Sequence, residues 1–233
     1  MSESATHRAM ISAVAEALGP DLLSRVAFVG GCTTSLLITD DYSRDQVRHT
    51  KDVDLIVHVV GHAEWAELQA QLRTKGFRDI VKGSAPICAL ELGELRVDFM
   101  PDDKQLLGFS NRWYTDALKT AEFYKLTDTV GIRLVIPSYF VATKLEAFKG
   151  RGNNDPLGSQ DIEDLLNLFN GRETLLEEIR QAPAPVQAYI STEIRMLLKH
   201  PGMAHAIEGS TQGQAEQVEY LYELLEAVAD LGI

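Results

Sequence analysis

Cysteine and long apolar runs are scarce in this sequence. Cys32 and Cys88 are the only two cysteines among 233 residues, which gives no sign of a disulfide framework. No apolar stretch approaches the roughly eighteen residues of a membrane span. We therefore expect a cytoplasmic protein with no membrane partner.

Basic residues are also outnumbered. The chain has 22 Lys and Arg against 34 Asp and Glu, a formal net charge of -12. General binding to a nucleic-acid backbone depends on Lys and Arg that displace counterions, so this balance argues against it. A local basic groove remains possible. For the first of the two groups of basic residues, a simple scatter of solvated charges remains possible as well. Those two groups are Arg44, Arg48 and Lys51, and Lys144, Lys149 and Arg151.

The hydrophobic pattern indicates an α/β (or α+β) protein. Hydrophobic residues make up 45% and charged residues 24% of the chain, which is ordinary for a folded protein. Apolar runs predict strands at Val26–Val29, Val53–Val60 and Ile132–Ile136. Gly93-Glu94 predicts a hairpin between Ile87–Leu92 and Leu95–Met100. Periodic spacing predicts helices at residues 5–18, 33–38, 63–74, 139–148, 160–169, 174–180, 186–198 and 214–231.

Strands dominate the first part of this pattern and helices the second. We expect a small mixed sheet flanked by helices over residues 1–105, followed by a mostly helical region over residues 106–233. The change falls between Pro101 and Pro137, although a continuous fold remains possible. In either case we expect the second region to complete a cleft beside the sheet.

Three carboxylates lie inside the apolar strands. Asp52 and Asp54 point to one face of their strand because side chains alternate, and a neighbouring strand carrying Asp98 would complete a cluster. Carboxylates about 4 Å apart repel by roughly 4 kcal/mol at an effective dielectric near 20. One or two Mg²⁺ ions would turn that cost into a binding site. Before these strands, Gly30-Gly31 would let a backbone approach a phosphate closely.

Each of these features also has a structural explanation. A glycine pair after a strand is commonly a turn, and Asp52 could cap or end one. Asp54 and Asp98 are costly to bury without a partner, but Arg96 or Lys51 could supply a salt bridge. We treat Cys32 as a packed residue, and His49 and His58 as structural or solvent-facing.

The order of these motifs resembles the DNA polymerase beta-like nucleotidyltransferase superfamily, in which a glycine turn precedes an Asp-x-Asp strand and a later single Asp. The run from Pro137 to Phe148, with Lys144, resembles the lysine motif of AbiEii/MenT-type nucleotidyltransferases. Arg151 and the segment Ser159–Leu165, with Asp161 and Asp164, resemble their aspartate motif. The family includes toxins of toxin-antitoxin pairs. The sequence departs from the superfamily between Gly31 and Asp52, where Cys32–Lys51 indicates an inserted loop.

The resemblance implies the nucleotidyltransferase fold and Mg²⁺-dependent transfer of NMP from an NTP to an acceptor hydroxyl. Asp52, Asp54 and Asp98 would hold two Mg²⁺ ions, with Asp98 either binding the second ion or accepting the proton of the attacking hydroxyl. Lys144 would neutralise phosphate charge. Arg151 and Asp161 would support the site or position the acceptor. Hydrogen bonds to the phosphates would come from Gly30, Gly31, Thr33 and Thr34.

Lys144, Asp161 and Asp164 have ordinary interpretations too. A helical lysine is by default a surface residue, whose loss should barely change the stability of the ligand-free protein. Asp161 and Asp164 share a helix face, where Asp161 could simply complement the helix dipole.

The acceptor stays open among RNA or tRNA, a protein and a small molecule, and a cognate antitoxin is a possible partner. The acidic balance mildly disfavours a large RNA. Two other functions remain open: a catalytically inactive module that senses nucleotides or binds proteins, and an antitoxin-like partner.

Overall fold

The computed structural model describes residues 2–80, 86–108 and 111–232. The chain divides into two compact units. The sheet unit comprises Met1–Thr33 and His49–Ile136, and the helical unit comprises Thr34–Arg48 and Pro137–Ile233. Among the described residues, no helix has both the length and the apolar character needed to cross a bilayer.

Seven strands form one mixed sheet in the sheet unit. They are β1 (Val26–Val29), β2 (Asp52–Val57), β3 (Arg78–Asp79), β4 (Ala89–Leu92), β5 (Leu95–Pro101), β6 (Glu122–Lys125) and β7 (Gly131–Leu134). Their order is β3-β4-β5-β2-β1-β7-β6. Strand β2 runs antiparallel to β1 and parallel to β5. The expected mixed sheet flanked by helices is confirmed.

The strands at the centre of the sheet are the most apolar. All four residues of β1 are buried, as are Val53 and Leu55–Val57 in β2. A strand covered on both faces reads as such a continuous apolar run. The hairpin is confirmed as well, because Leu92 pairs with Leu95 across Gly93-Glu94. Gly93 has a φ of +65°, which its two-residue turn requires.

Among the described residues, the helices that accompany the sheet are α1 (Glu3–Leu23), α4 (Gly61–Thr74), α5 (Lys104–Leu107) and α6 (Tyr114–Thr120). The first helix, predicted over residues 5–18, continues to Leu23 across a break at Gly19, which has non-helical angles (φ 70°, ψ 172°). A short 3₁₀ helix, Gly31–Thr33, follows β1.

The helical unit contains α2 (Thr34–Leu37), α3 (Asp41–Arg44), α7 (Pro137–Arg151), α8 (Gln160–Gly171), α9 (Leu175–Arg180), α10 (Ala184–Leu198), α11 (Met203–Ser210) and α12 (Ala215–Asp230). Helix α8 packs against α7, α11 and α12. Ser159 caps α8 by accepting a hydrogen bond from the backbone N–H of Ile162 at 3.4 Å.

The expected inserted loop, Cys32–Lys51, belongs largely to the helical unit. The carbonyl of Gly171 at the end of α8 accepts hydrogen bonds from the backbone N–H groups of Thr39 (2.9 Å) and Asp40 (3.0 Å). Arg172 also donates to the carbonyl of Leu37 at 2.6 Å. These contacts give residues 34–48 their place beside α8.

The division of the chain therefore differs from the expected boundary between residues 105 and 106. Residues 106–136 cluster with the sheet, because β6 and β7 extend it beyond β1. Residues 34–48 cluster with the helices instead. Within the boundary segment predicted from Pro101 to Pro137, residues 109 and 110 lie outside the described part of the chain.

Candidate metal centre and a buried charge cluster

Strand pairing brings the three predicted carboxylates together. Asp54 lies opposite Asp98 in the parallel pair of β2 and β5, and Asp52 lies opposite Arg96. Asp52 and Asp54 are two residues apart and so share a face of β2. One carboxylate oxygen from each of the three lies within 4.8 Å of the others. We call Asp52, Asp54 and Asp98 the acidic triad.

The triad is partly withdrawn from water. Asp98 is 8% exposed, and Asp52 and Asp54 are half-buried. Such a cluster needs positive charge, because roughly 4 kcal/mol of repulsion is expected between two carboxylates about 4 Å apart at an effective dielectric of 20. The set supplies only carboxylate oxygens, the ligands that hard cations such as Mg²⁺ prefer. A metal ion could bind here.

Arg96 supplies part of that positive charge. Its Nε and Nη2 atoms donate to the two oxygens of Asp98 at 2.9 and 2.8 Å, a bidentate pair. Hydrogen bonding to Asp98 is the largest cause that raises the pKa of Arg96, and the charges of Asp52 and Asp54 raise it further against the opposing effect of burial. The expectation that Arg96 could pair with the strand carboxylates is confirmed for Asp98. Thr50 donates a hydrogen bond to Asp52.

Gly30 lies directly against the triad. Val29 pairs with Asp54 across β1 and β2, so the chain leaves β1 beside that carboxylate. A Cβ atom on Gly30 would stand 1.9 Å from Oδ2 of Asp54, and its φ is +83°. Both observations exclude a larger side chain without rearrangement.

The threonines after the glycine pair are buried. The backbone N–H of Thr33 donates to the carbonyl of Gly30 at 3.1 Å and closes the 3₁₀ turn, and its hydroxyl donates to the same carbonyl at 2.8 Å. In the helical unit, Thr34 begins α2, and its buried hydroxyl has no hydrogen-bond partner among the described residues. That a phosphate is bound by these groups stays a prediction.

Lys144 is buried in the helical unit. It is 4% exposed, unlike the surface lysine that helical position suggests by default. Its Nζ donates to Oδ1 of Asp161 at 3.2 Å and to Oδ2 of Asp164 at 2.5 Å. Both aspartates lie in the first turns of α8, and Asp164 is fully buried. The expected shared face of Asp161 and Asp164 is therefore directed at a buried ammonium on α7.

Two arginines complete this arrangement. Arg48 forms a bidentate pair with Asp164, with both N–O distances 3.0 Å. Arg151 forms a second one with Asp161, with both distances 2.9 Å. Cations and carboxylates thus alternate through the five side chains, and three positive against two negative charges leave a net charge of +1. We call Arg48, Lys144, Arg151, Asp161 and Asp164 the lysine cluster.

Opposing effects set the protonation of the lysine cluster. Burial alone would lower the pKa of Lys144, but the charges of Asp164 and Asp161 outweigh it and raise that pKa. Burial alone would raise the pKa of Asp161, but hydrogen bonds from Arg151 and the charge of Lys144 hold it below its ordinary value of 3.8. Lys144 and Asp161 are therefore both charged at neutral pH.

No protein-family model matches this sequence, and a comparison with curated proteins finds no match.

The predicted site residues thus form two sets. Asp52, Asp54, Asp98, Gly30, Gly31 and Thr33 belong to the sheet unit, and Thr34, Lys144, Arg151 and Asp161 belong to the helical unit. The first set contains the acidic triad with its glycine, and the second contains most of the lysine cluster.

Sequence reasoning missed the place of Arg48. It was grouped with Arg44 and Lys51 as a loop cation, but it pairs with Asp164 more than a hundred residues later. The sequence around Arg48 and the sequence around Asp164 do not show that the two segments meet in the fold. Sequence patterns therefore could not predict this pair. Cys32 is buried, as expected of a packed residue. Cys88 is buried too, and burial, then the charge of Asp98, raises the pKa of its thiol to about 11.

Proposed function

We propose that this protein is a Mg²⁺-dependent nucleotidyltransferase of the DNA polymerase beta-like superfamily, related to the AbiEii/MenT type. The acidic triad carries the proposal: three carboxylates in the predicted order, on neighbouring strands, with ligand atoms within 4.8 Å of one another. A glycine of positive φ beside Asp54 adds support, because it keeps the approach to these carboxylates free of a side chain.

Asp52, Asp54 and Asp98 would hold the metal, and the all-oxygen donor set fits Mg²⁺. When bound, Mg²⁺ would offset phosphate charge and stabilise the entering and leaving oxygens. The backbone at Gly30 and Gly31 would contact the phosphates of the NTP. In the reaction the acceptor oxygen bonds to the α-phosphorus, the bond to pyrophosphate breaks, and the acceptor's proton passes to a carboxylate such as Asp98 or to water.

Arg96 would compete with a metal ion for the oxygens of Asp98. Its bidentate pair is 2.8 and 2.9 Å long, and the arginine side chain is 42% exposed, so it has room to turn outward. The same pair supports the second candidate function, an inactive module that senses nucleotides or binds proteins. In such a module the arginine would replace the metal permanently.

The lysine cluster is assigned to the NTP only by resemblance. The ammonium of Lys144 is bonded to two carboxylates and its side chain is only 6% exposed, so a phosphate has little access to it. The side chain of Arg151 is 72% exposed and is the more accessible cation. We propose Arg151 as the phosphate or acceptor contact and Lys144 as the residue that orders Asp161 and Asp164.

The acceptor we propose is a hydroxyl of an RNA, a protein or a small molecule. We propose that the protein acts in the cytoplasm, as the toxin of a toxin-antitoxin pair. Both cysteines are free thiols, which fits a reducing compartment.

Incubation of the protein with each labelled NTP, Mg²⁺ and whole-cell RNA and protein tests the proposal. We expect labelled product from the wild type with Mg²⁺, none with a chelator, and none from Asp54→Asn. Asp79→Asn is the matched control, because Asp79 is an exposed partner of Arg73 in the same unit. Nucleotide binding without transfer to any acceptor would favour the inactive module. Transfer by Asp54→Asn at the wild-type rate would contradict the assignment of the triad.

A further inference from the structure

The helical unit contains a pocket of about 340 Å³, and no residue of the acidic triad or the lysine cluster lines it. Helices α3, α8, α11 and α12 contribute to its walls. Ile162, Leu166 and Ala206 provide an apolar surface inside it, and all three are buried. The volume lies within the range of small-molecule sites, about 300 to 1,000 Å³.

Carboxamides dominate the polar part of the wall. They come from different segments of the unit but converge on one space: Gln46, Asn167, Asn170, Gln212, Gln214 and Gln217. Each carboxamide offers both a donor and an acceptor in one plane. The pocket can therefore hydrogen-bond to a flat ligand that itself presents donors and acceptors along an edge.

One of these carboxamides has an unused donor. The Nδ2 atom of Asn167 is buried and has no hydrogen-bond partner among the described residues. Buried donors are nearly always paired, and leaving one unpaired is costly. A ligand with an acceptor would remove that cost once a turn of the Asn167 side chain brings Nδ2 to the surface of the pocket.

The charge of the wall excludes an anion as the main ligand. Glu163 is the one charged side chain among the described residues that line the pocket, and no Lys or Arg is among them. A phosphate would meet a carboxylate there with no cation to offset its charge. The part of the ligand that enters the pocket is therefore not an anion.

The rim offers an aromatic face. Tyr42 and Leu157 both line the pocket. They are 62% and 61% exposed, whereas most large hydrophobic side chains of this chain are buried. Exposed aromatic rings are stacking platforms for nucleobases, because every base has a π-face.

From these observations we infer that the pocket binds a nucleobase, either of a free nucleoside or of a single-stranded RNA. Asn and Gln side chains can bond a base edge in a bidentate manner. The base would lie against Ile162 and Leu166, with its edge toward Asn167 and its sugar directed outward. The inference does not depend on the proposed transferase activity, because every group it uses belongs to this pocket.

Equilibrium titration of the full chain with each of the four ribonucleosides, in buffer without divalent metal, tests the inference. A short unstructured RNA in a second arm separates the two sources of the base. We expect saturable binding of at least one nucleoside, weakened about tenfold in Asn167→Leu, the factor for losing a hydrogen bond in a dry site. Gln217→Ala, on the facing helix α12, should weaken binding in the same direction.

Two variants serve as controls. Gln160→Leu removes an exposed carboxamide at the start of the same helix and should leave affinity unchanged. Asp54→Asn should do the same, because it alters only the acidic triad. Absence of saturable binding by every nucleoside and by the RNA would overturn the inference, as would binding lost in Asp54→Asn. If Asn167→Leu fails to fold, Gln217→Ala decides: unchanged affinity in that variant overturns the inference.

Discussion

At the scale of single residues, the close approach of Gly30 to Asp54 is the most specific feature of the acidic triad. A glycine in the left-handed region is common in turns. Among the described glycines of positive φ in this chain, only Gly30 would place a Cβ against a carboxylate oxygen, 1.9 Å away. The chain therefore cannot change this residue without moving a proposed metal ligand.

We predict that Gly30→Ala destabilises the protein more than Gly61→Ala does. Gly61 has a similar φ, +76°, but its Cβ would meet nothing within 4 Å, so it measures the backbone strain alone. That strain is about 1 to 2 kcal/mol. The clash with Asp54 should add about 1 to 3 kcal/mol in Gly30→Ala, the usual cost of overpacking. Equal losses in urea denaturation would show that Asp54 moves aside freely.

The three residues of the triad were predictable from the sequence. The residues that contact them were predictable only in part. Alternation along β2 placed Asp52 and Asp54 on one face, and an apolar setting marked Asp98 as costly. The contact between Gly30 and Asp54 depends on the antiparallel register of β1 and β2. Residue types alone do not encode that register, since strand pairing joins segments far apart in the sequence.

At the scale of elements, the lysine cluster joins α7 and α8 by charge. Removal of Lys144 leaves two arginines and two aspartates, which balance. Removal of the charge of Asp164 leaves three cations with one carboxylate. The two changes therefore differ in what they leave buried, although both break the same bond.

We predict that Asp164→Asn is more destabilising than Lys144→Met. Asp164→Asn should cost about 3 to 5 kcal/mol, because uncompensated positive charge remains in a buried place. Lys144→Met should cost less, because the remaining charges balance. Lys125→Met, a change to an exposed lysine paired with the exposed Asp128, is the control and should cost about 1 kcal/mol or less. Free energies of unfolding from urea titrations rank the three, and a greater loss in Lys144→Met would contradict the charge argument.

The cluster also predicts how stability depends on acid. The folded state holds the pKa of Asp161 below 3.8, the ordinary value expected in the unfolded chain. The unfolded chain therefore takes up a proton first as the pH falls, so this contribution is present above about pH 4 and is lost as the pH falls through the folded pKa. Urea titrations from pH 6 to pH 3 should show a steeper loss in wild type than in Asp161→Asn. Parallel curves would remove Asp161 from the set of groups that stabilise the fold by charge.

Longer elements were predicted better than short ones. The sequence pattern predicted α7, α8, α10 and α12 with small errors at the ends, because a long amphipathic period is a strong signal. It missed β3, α3, α5, α6, β6 and α11, which have between two and eight residues. Elements this short are stabilised by the neighbours they pair with, such as β6 by β7, rather than by their own pattern.

At the scale of the whole molecule, the two compact units are discontinuous in sequence. Residues 34–48 interrupt the sheet unit and join the helices through Gly171 and Arg172. The sequence pattern suggests two contiguous domains. The helical pattern after Pro137 does not indicate that residues 34–48 belong to the same unit. The net charge of -12 applies to the complete chain and hides local positive sites such as the lysine cluster.

The central claim, that the acidic triad is a functional metal centre, is tested most directly by Mn²⁺ titration followed by electron paramagnetic resonance, with and without an NTP. Mn²⁺ shares the oxygen ligands of Mg²⁺ and gives a spectrum that binding broadens. We predict saturable binding to the wild type, strengthened by NTP, and affinity at least about tenfold weaker in Asp54→Asn, with Asp79→Asn unchanged. Equal Mn²⁺ affinity in the wild type and Asp54→Asn, or no binding to the wild type with any NTP, would contradict the account.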